Sequence, residues 1–402
     1  MWQAYLCDTM TGQVDVPIDI PSFRWSVSVS DCSLSTTRDK GTAAGDATGL
    51  QLPWGAVPAD TPEGRESMLA SSRRSIVLLW DRTPVVFGAI GARTDSWQDT
   101  SFDLVSPMQL LGSRYVVREG VYGKGTTVSD EGETKGQTLN SVTTDSIHWS
   151  GLSLRAIACR AVQLAAGKQG GSLPIDLPYL DEKGTHERTY DGFDVQNLSC
   201  QDVLEKISNV QGGPDIALIP YMADSSHVRL RLSAGSDSEP MLQSSGPVPT
   251  LTAFPGGGTL QSLKASYLGP TMRVYGYGSG QDKAQLGHLS EDLSLCRQSD
   301  PWPLQEMVAG YTDDKDAALL KSHVDARLAA VKVPLCQLQG SIHLGDGLDP
   351  STLWPGYAVD LQLWDYPTLP DGTYHLRLME LSGDEGADVT ATFDVMRNPW
   401  YS

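Results

Sequence analysis

Apolar positions alternate with period two in several stretches of this chain, the mark of strands buried on one face. In "SFRWSVSVS", Phe23, Trp25, Val27 and Val29 alternate with polar neighbours. Strands are predicted too over 75–80, 85–93 and 100–105, over 215–222 and 227–235, over 260–269 and 271–278, and again within 335–398. A 3.6-residue period interrupts them at four places. Ser106, Pro107, the pair Leu110 and Leu111, and Gly112 spell a short capped helix. Ser153 opens a longer one, with Leu154, Ile157, Ala158, Ala161, Leu164 and Ala165 on one face and Gly167, Gly170 and Gly171 closing it. Ser199 with Asp202 resembles a capping box, followed by Val203, Leu204, Ile207 and Val210 and closed by Gly212 and Gly213. The strongest helix starts from Thr312 as its cap, with Asp313, Asp314 and Asp316 in a first turn whose dipole favours anions. Its stripe is Ala317, Leu320, Val324, Leu328 and Val331, and Pro334 bounds it. Residues 36–73 read as an excursion with one helical turn, 119–150 as a polar excursion or twisted hairpin, 235–258 as a boundary, and 280–310 as irregular.

One strand pattern occurs twice. "VLLWDRTPVVFGAI" (77–90) and "LQLWDYPTLPDGTYHLRLMEL" (361–381) each carry Leu-Trp-Asp at the end of one strand, then a turn, then a second alternating strand. A third strand follows in both, with Phe102-Asp103 in one and Phe393-Asp394 in the other. The second copy is expected to have a longer turn and a longer second loop. Shared strand order favours an internal duplication of a three-stranded meander over chance identity.

Composition narrows the class. The 402 residues suffice for two to four domains. With 40 Gly and 24 Pro, the turn-rich mix suits β architecture. A net charge of −19 argues against a surface that grips nucleic acid by neutralising phosphates. The six cysteines, at 7, 32, 159, 200, 296 and 336, are widely and irregularly spaced and form no C-x-x-C, so buried free thiols are expected. The N-terminus has no signal-peptide pattern, and no apolar run is long enough to span a membrane.

Motifs for chemistry are sparse. "YGYGSG" lacks the third glycine and the following helix of a dinucleotide fingerprint. "DEKGTHERTYDGFD" gathers Asp181, Glu182, His186, Glu187, Asp191 and Asp194, a conceivable metal or acid/base site, but reads better as a solvated loop. "SGDEGAD" (Asp384, Glu385, Asp388) could offer oxygens to a calcium ion but reads better as a charged turn. His323, His343 and His375 pair with no ligand partner at a fitting spacing. Trp80, Trp302 and Trp364 fit rim packing of β-domains better than stacking on sugars. No catalytic, cofactor-binding or metal-ligating residue is assigned, and no cofactor.

Taken in order, a strand, a short turn, "PVVFGAIGAR", another strand and "LLGSRYV" resemble the N-terminal domain of the tail-tip or baseplate hub proteins of long-tailed phages, also called tail-associated or minor tail proteins. "CQDVLEKISNVQGG" and the strands after it resemble the hub's inserted helix-and-sheet region. "PGYAVDLQLWDYPTLPDGTYHLRLMELSGDEGADVTATFDV" resembles its second tube domain. The likeness is of pattern and order over most of the chain, and no catalytic motif carries it. It implies a mainly β fold with α+β insertions, in which two related β-barrel-like tube domains are interrupted. The expected division is 1–118 for the first tube-like domain, 119–245 for an inserted α+β domain, 246–280 with 335–402 for the second tube-like domain, and 281–334 for a helical insertion. It also implies a structural virion protein, not an enzyme, at the tail tip after assembly in the host cytoplasm. Three such subunits present six similar domains, which matches a sixfold tail tube to a threefold tip. Its partners would be two further copies, the distal tail protein ring, the tape-measure protein and tip or receptor-binding proteins. The acidic balance fits a lumen that repels phosphates and lets DNA leave during ejection. Many such proteins continue into a lytic or fibre-like extension, whereas this chain stops at Ser402, which assigns wall hydrolysis to another protein. Two other readings stay open. One is a β-rich cell-wall-binding protein or polysaccharide-degrading tail enzyme, which needs carboxylates about 5–10 Å apart or exposed Trp in a groove. The other is a distal tail adaptor, a type that is usually shorter.

Overall fold

The run "RSIVLLW" shows almost no polar alternation, and in the computed structural model of the chain it is a strand buried on both faces. The structure describes residues 1–36, 49–124, 127–129, 138–140, 142–210, 212–312, 316–345 and 347–401. The chain divides into two compact units. The first is Met1–Pro249 with Ser341–Val359 and Arg377–Ala391; the second is Thr250–Gly340 with Asp360–Leu376 and Thr392–Ser402. The fold is mainly β with α+β segments, as expected.

The first unit opens with β1 (Trp2–Asp8), β2 (Val14–Ile18), β3 (Phe23–Ser28), β4 (Cys32–Thr36), β5 (Leu50–Pro53), β6 (Arg74–Trp80), β7 (Thr83–Asp95) and β8 (Asp99–Val105). Six of them form an antiparallel sheet in the order β2-β1-β6-β7-β8-β5. The register Trp2↔Trp80, Ala4↔Leu78 and Leu6↔Ile76 puts those six side chains on one face. There the Trp2 ring lies 4.9 Å from Trp25 and 5.0 Å from Trp80, centroid to centroid. The opposite face presents Cys7, Val77, Leu79 and Phe87 to Val228 and Leu230. Coverage on both sides is why β6 reads as a continuous apolar run. β3 and β4 leave this sheet. They pair with each other, and β3 pairs antiparallel with residues 380–384, from Ser28↔Glu380 to Arg24↔Asp384.

The helices of the first unit start where their caps predict. They are α1 (Pro62–Met68), α2 (Pro107–Gly112), α3 (Leu154–Ala166) and α4 (Cys200–Ser208). Ser106 and Gln109 form a reciprocal capping box on α2. Ser153 Oγ accepts from Ala156 N at 3.1 Å, and Ser199 Oγ accepts from Asp202 N at 3.1 Å. The small buried side chains Ala156, Ala158, Ala161 and Ala165 let α3 lie close to its neighbours in a core with Val203, Leu204 and Ile207. Strands Ile216–Met222 and Val228–Ala234 pair antiparallel as expected, and Ile175–Asp176 adds a parallel edge. Within the polar excursion, Thr127–Ser129 pairs antiparallel with Thr138–Asn140.

In the second unit, Thr250–Phe254 runs parallel to residues 360–363 and folds back through Pro255 and Gly256 onto Gly257–Gly258. Gly256 has φ 79°, the left-handed value that the residue after Pro adopts in a type II turn. Leu260–Leu268 reaches back against Thr250–Phe254, so the sheet curls. A separate three-stranded sheet has Arg273–Tyr277 in its centre, antiparallel to Gly287–Glu291 and parallel to Glu306–Gly310. Helix α5 (Ala317–Val331) covers one face through Leu320, Val324 and Leu328 on Val274.

Two expectations change here. Residues 280–310 are not irregular, because they supply both outer strands of this small sheet. Their outward residues Leu289 and Val308 are exposed, so the burial alternation that marks a strand is weak. The cap of α5 is Asp316 and not Thr312: Asp316 Oδ1 accepts from Ala318 N at 2.8 Å and from Leu319 N at 2.9 Å. Asp313 and Asp314 lie outside the described residues.

Candidate functional site

The acidic clusters of the sequence are dispersed by the fold. In "DEKGTHERTYDGFD", Glu182 pairs with Arg155 at 2.7 Å, Asp181 with Arg160 at 3.4 Å and His186 with Asp237 at 3.3 Å. Glu187 lies 3.7 Å from His148, while Asp191 accepts from Ser146 and Asp194 from Asn197, both at 2.7 Å. In "SGDEGAD", Asp384 accepts from Gly386 N at 2.8 Å and Asp388 meets His343 at 2.7 Å. His375 meets Asp360 at 2.7 Å, and the His323 ring lies 5.2 Å from that of Tyr311. Among the described residues no group of three or more His, Cys, Asp or Glu is placed to hold a metal ion. The glycines of "YGYGSG" have a packing reason. A β-carbon on Gly276 would lie 1.9 Å from Val324 Cγ2, so glycine there lets α5 sit on the strand.

Sequence reasoning missed two polar clusters whose members are far apart in the chain. Arg229 Nε donates to Asp176 Oδ1 at 2.9 Å, and the Tyr221 hydroxyl donates to the same carboxylate. The Arg229 hydrogen bond, against a smaller cost of burial, holds the Asp176 carboxyl below its ordinary range. Asp215 pairs with Arg377, whose Nε also donates to Gly356 O at 3.2 Å. Strand pairing brings Asp176, Arg229 and Tyr221 together, and no spacing in the sequence signals either cluster.

The two Leu-Trp-Asp copies agree at backbone level. β6 ends at Trp80 and its counterpart Ala358–Leu363 ends just before Trp364. Asp81 and Asp365 both take left-handed φ, 44° and 51°. The second strands, Thr83–Asp95 and Gly372–Asp384, each have 13 residues. Each is followed by residues 96–98 or 385–387 before the third strand, Asp99–Val105 or Asp388–Arg397. The second loop is therefore not longer in the second copy, since Gly372–Asp384 extends through the stretch that reads as a loop. Only the first turn is longer there, residues 364–371 against Asp81 and Arg82. The three strands are successive neighbours in their sheet in both copies. Connections this short require antiparallel pairing. In each copy the second loop offers a carbonyl to an indole: Trp54 Nε1 donates to Ser96 O at 2.9 Å, and Trp2 Nε1 to Gly386 O at 2.7 Å. Phe102 and Phe393 are both buried.

The copies differ at the tryptophan. Trp80 is buried beneath Trp2, whereas Trp364 is 42% exposed. The parallel register Ala253↔Leu363 turns those two inward and so turns Phe254 and Trp364 outward side by side, with ring centroids 6.4 Å apart. They border a cavity of about 550 Å³ lined also by Leu260, Gln261, Ser262, Asp365 and Tyr366.

No protein-family model matches the sequence. No curated protein matches it significantly. Solved structures do, and phage tail and baseplate proteins are among them. A 43 kDa tail protein of prophage MuSo2 from Shewanella oneidensis shares 8% identity over 100% of both chains, with a TM-score of 0.49. The tail protein from Neisseria meningitidis MC58 shares 11% over 98% of this chain and 96% of its own, with a TM-score of 0.45. An Escherichia coli type VI secretion component described as similar to phage T4 tail proteins shares 10% over 94% of this chain and 73% of its own, with a TM-score of 0.41.

Proposed function

We propose that the chain is the hub subunit of a phage tail tip, a structural protein of which three copies form a ring around the DNA exit path. The observation that carries this reading is the pair of matching meanders, with left-handed Asp after the first strand, equal second strands and equal second loops. A ring of three chains that each contribute two similar β-units offers six near-equivalent positions to a sixfold tube. The distal tail ring and the tape-measure protein would then sit on the tube side, and tip or receptor-binding proteins on the other. A net charge of −19 suits a channel that must not retain a polyanion.

Sedimentation and electron microscopy of the purified full chain test the reading. The expected particle has three times the 43.4 kDa of one chain and threefold symmetry, with the two meanders alternating around its axis. A stable monomer that degrades peptidoglycan would overturn it in favour of a tail enzyme.

A further inference from the structure

The cavity beside Trp364 has features that ring assembly does not require. It is built from the Phe254–Gly257 hairpin, the start of Leu260–Leu268 and the end of Ala358–Leu363, with buried Leu260 and Leu363 as its floor. About 550 Å³ lies within the range of small-ligand sites, roughly 300–1,000 Å³. Its aromatic walls are held in place by the backbone. Trp364 N donates to Ala253 O at 3.1 Å, and Asp365 N donates to Asp371 Oδ1 at 2.8 Å. The Phe254 ring lies across Gly257, where a β-carbon would come within 2.4 Å of it.

The polar side chains of the cavity are the second observation. Gln261, Ser262, Asp365 and Tyr366 make no side-chain hydrogen bond or ion pair among the described residues. Most other acidic side chains singled out above are engaged. One of the four, Ser262 at φ 50°, also holds the left-handed backbone conformation that costs an L-residue, while Asp365 shares its left-handed turn with Asp81. Strain of this kind gathers where a side chain must be aimed. The cavity thus sets exposed aromatic faces beside a carboxylate, an amide, a hydroxyl and a phenol that have no internal partner.

We propose that this cavity binds a neutral saccharide. A pyranose ring offers an apolar C–H face to stack on Trp364 and hydroxyls to pair with Asp365 and Gln261. An anionic sugar is disfavoured by the Asp365 carboxylate, with no cation among the lining residues to offset it. An all-apolar ligand would leave four polar side chains without partners, at a cost for each. The site is independent of the hub reading, because a monomer and a trimer can both carry it.

The test is titration of the full chain with neutral soluble oligosaccharides (maltotetraose, cellotetraose and chitotetraose), read by tryptophan fluorescence and by calorimetry. Saturable binding by at least one, at micromolar to millimolar strength, is the expected result. Trp364→Ala and Asp365→Asn should each weaken it about tenfold or more, equivalent to about 1.4 kcal/mol. Both residues are exposed, so unfolding temperatures should stay near that of the parent and separate lost binding from lost fold. Absence of saturable binding by all three sugars overturns the proposal, as does binding that survives Trp364→Ala. Displacement of a hydrophobic dye by Trp364→Ala without any sugar binding would reassign the cavity to a protein contact, and so would also overturn it.

Discussion

Gly276 and Val324 meet at a distance no side chain at position 276 can share. A β-carbon there would sit 1.9 Å from Val324 Cγ2. Gly276→Ala is therefore expected to destabilise by about 1–3 kcal/mol, the usual cost of overpacking. Val324→Ala removes the clashing atom, so the double variant should lose less than the two single changes summed, with a coupling of about 0.5–3 kcal/mol in urea unfolding. Additive losses would show that strand and helix do not touch. At the first turn, Asp81 and Arg82 both have left-handed φ, 44° and 75°, the type I′ pattern that favours Asn-Gly. Arg82→Gly should raise stability by about 0.5–1 kcal/mol by removing the β-carbon penalty there, and Arg82→Val should lower it. "DRTP" is legible in the sequence as a turn, but its handedness is not, since Arg82 stands where a glycine would mark it. The thiols follow their surroundings. Burial pushes Cys7 and Cys200 up to about 12, so both stay protonated at neutral pH. Iodoacetamide at mildly alkaline pH should leave both unmodified in the native chain and label all six in urea, as mass spectrometry would read. Rapid native labelling of Cys7 would show that the β1–β6 sheet opens.

At the level of elements, α5 rests on its sheet through an apolar stripe and through two half-buried acidic contacts. Asp292 is held at about 2 by the Ser294 hydroxyl and by Lys332, whose Nζ lies 3.0 Å away. Asp325 is held at about 2 by Lys321, then by Ser290 and His288. Both values lie below the ordinary 3.8. Whatever stability these carboxylates add is thus fully present above 3.8 and is lost as the pH falls toward 2. Both are solvent-screened, so the effect is small. The measurement is the difference in unfolding temperature between the parent and the Asp292→Asn/Asp325→Asn variant. It should narrow as the pH is lowered through that window, and a difference independent of pH would remove these contacts from the account. Helix starts were readable because Ser106, Ser153 and Ser199 carry their own hydrogen-bond chemistry. The cap of α5 was misread by four positions because several acidic residues compete there, and only the backbone geometry selects Asp316. The outer strands Gly287–Glu291 and Glu306–Gly310 escaped notice for a different reason. Each pairs on one edge and packs on one face, so little of the sequence is spent on burial. The two-faced burial of β6 was equally hidden, since a continuous apolar run does not say what covers it.

For the whole molecule, the proposed trimer brings together three chains that each carry −19. Their mutual repulsion opposes assembly most where screening is weakest. The Debye length falls from about 30 Å at 0.01 M salt to about 8 Å at 0.15 M. Contacts between copies that are mainly apolar should therefore strengthen as salt is added, and the trimer fraction at fixed protein concentration should rise across that range. Lowering the pH toward the isoelectric point near 4.7 should act in the same direction, because it reduces the net charge. Sedimentation velocity at several salt concentrations reads both effects directly. A trimer that dissociates as salt is added would mean that opposite charges hold the copies together. The excess acid would then belong to the subunit contacts and not to the channel wall. That outcome would leave the duplicated meanders untouched but would remove the electrostatic case for a DNA-repelling lumen, so the two parts of the hub reading stand or fall on separate measurements.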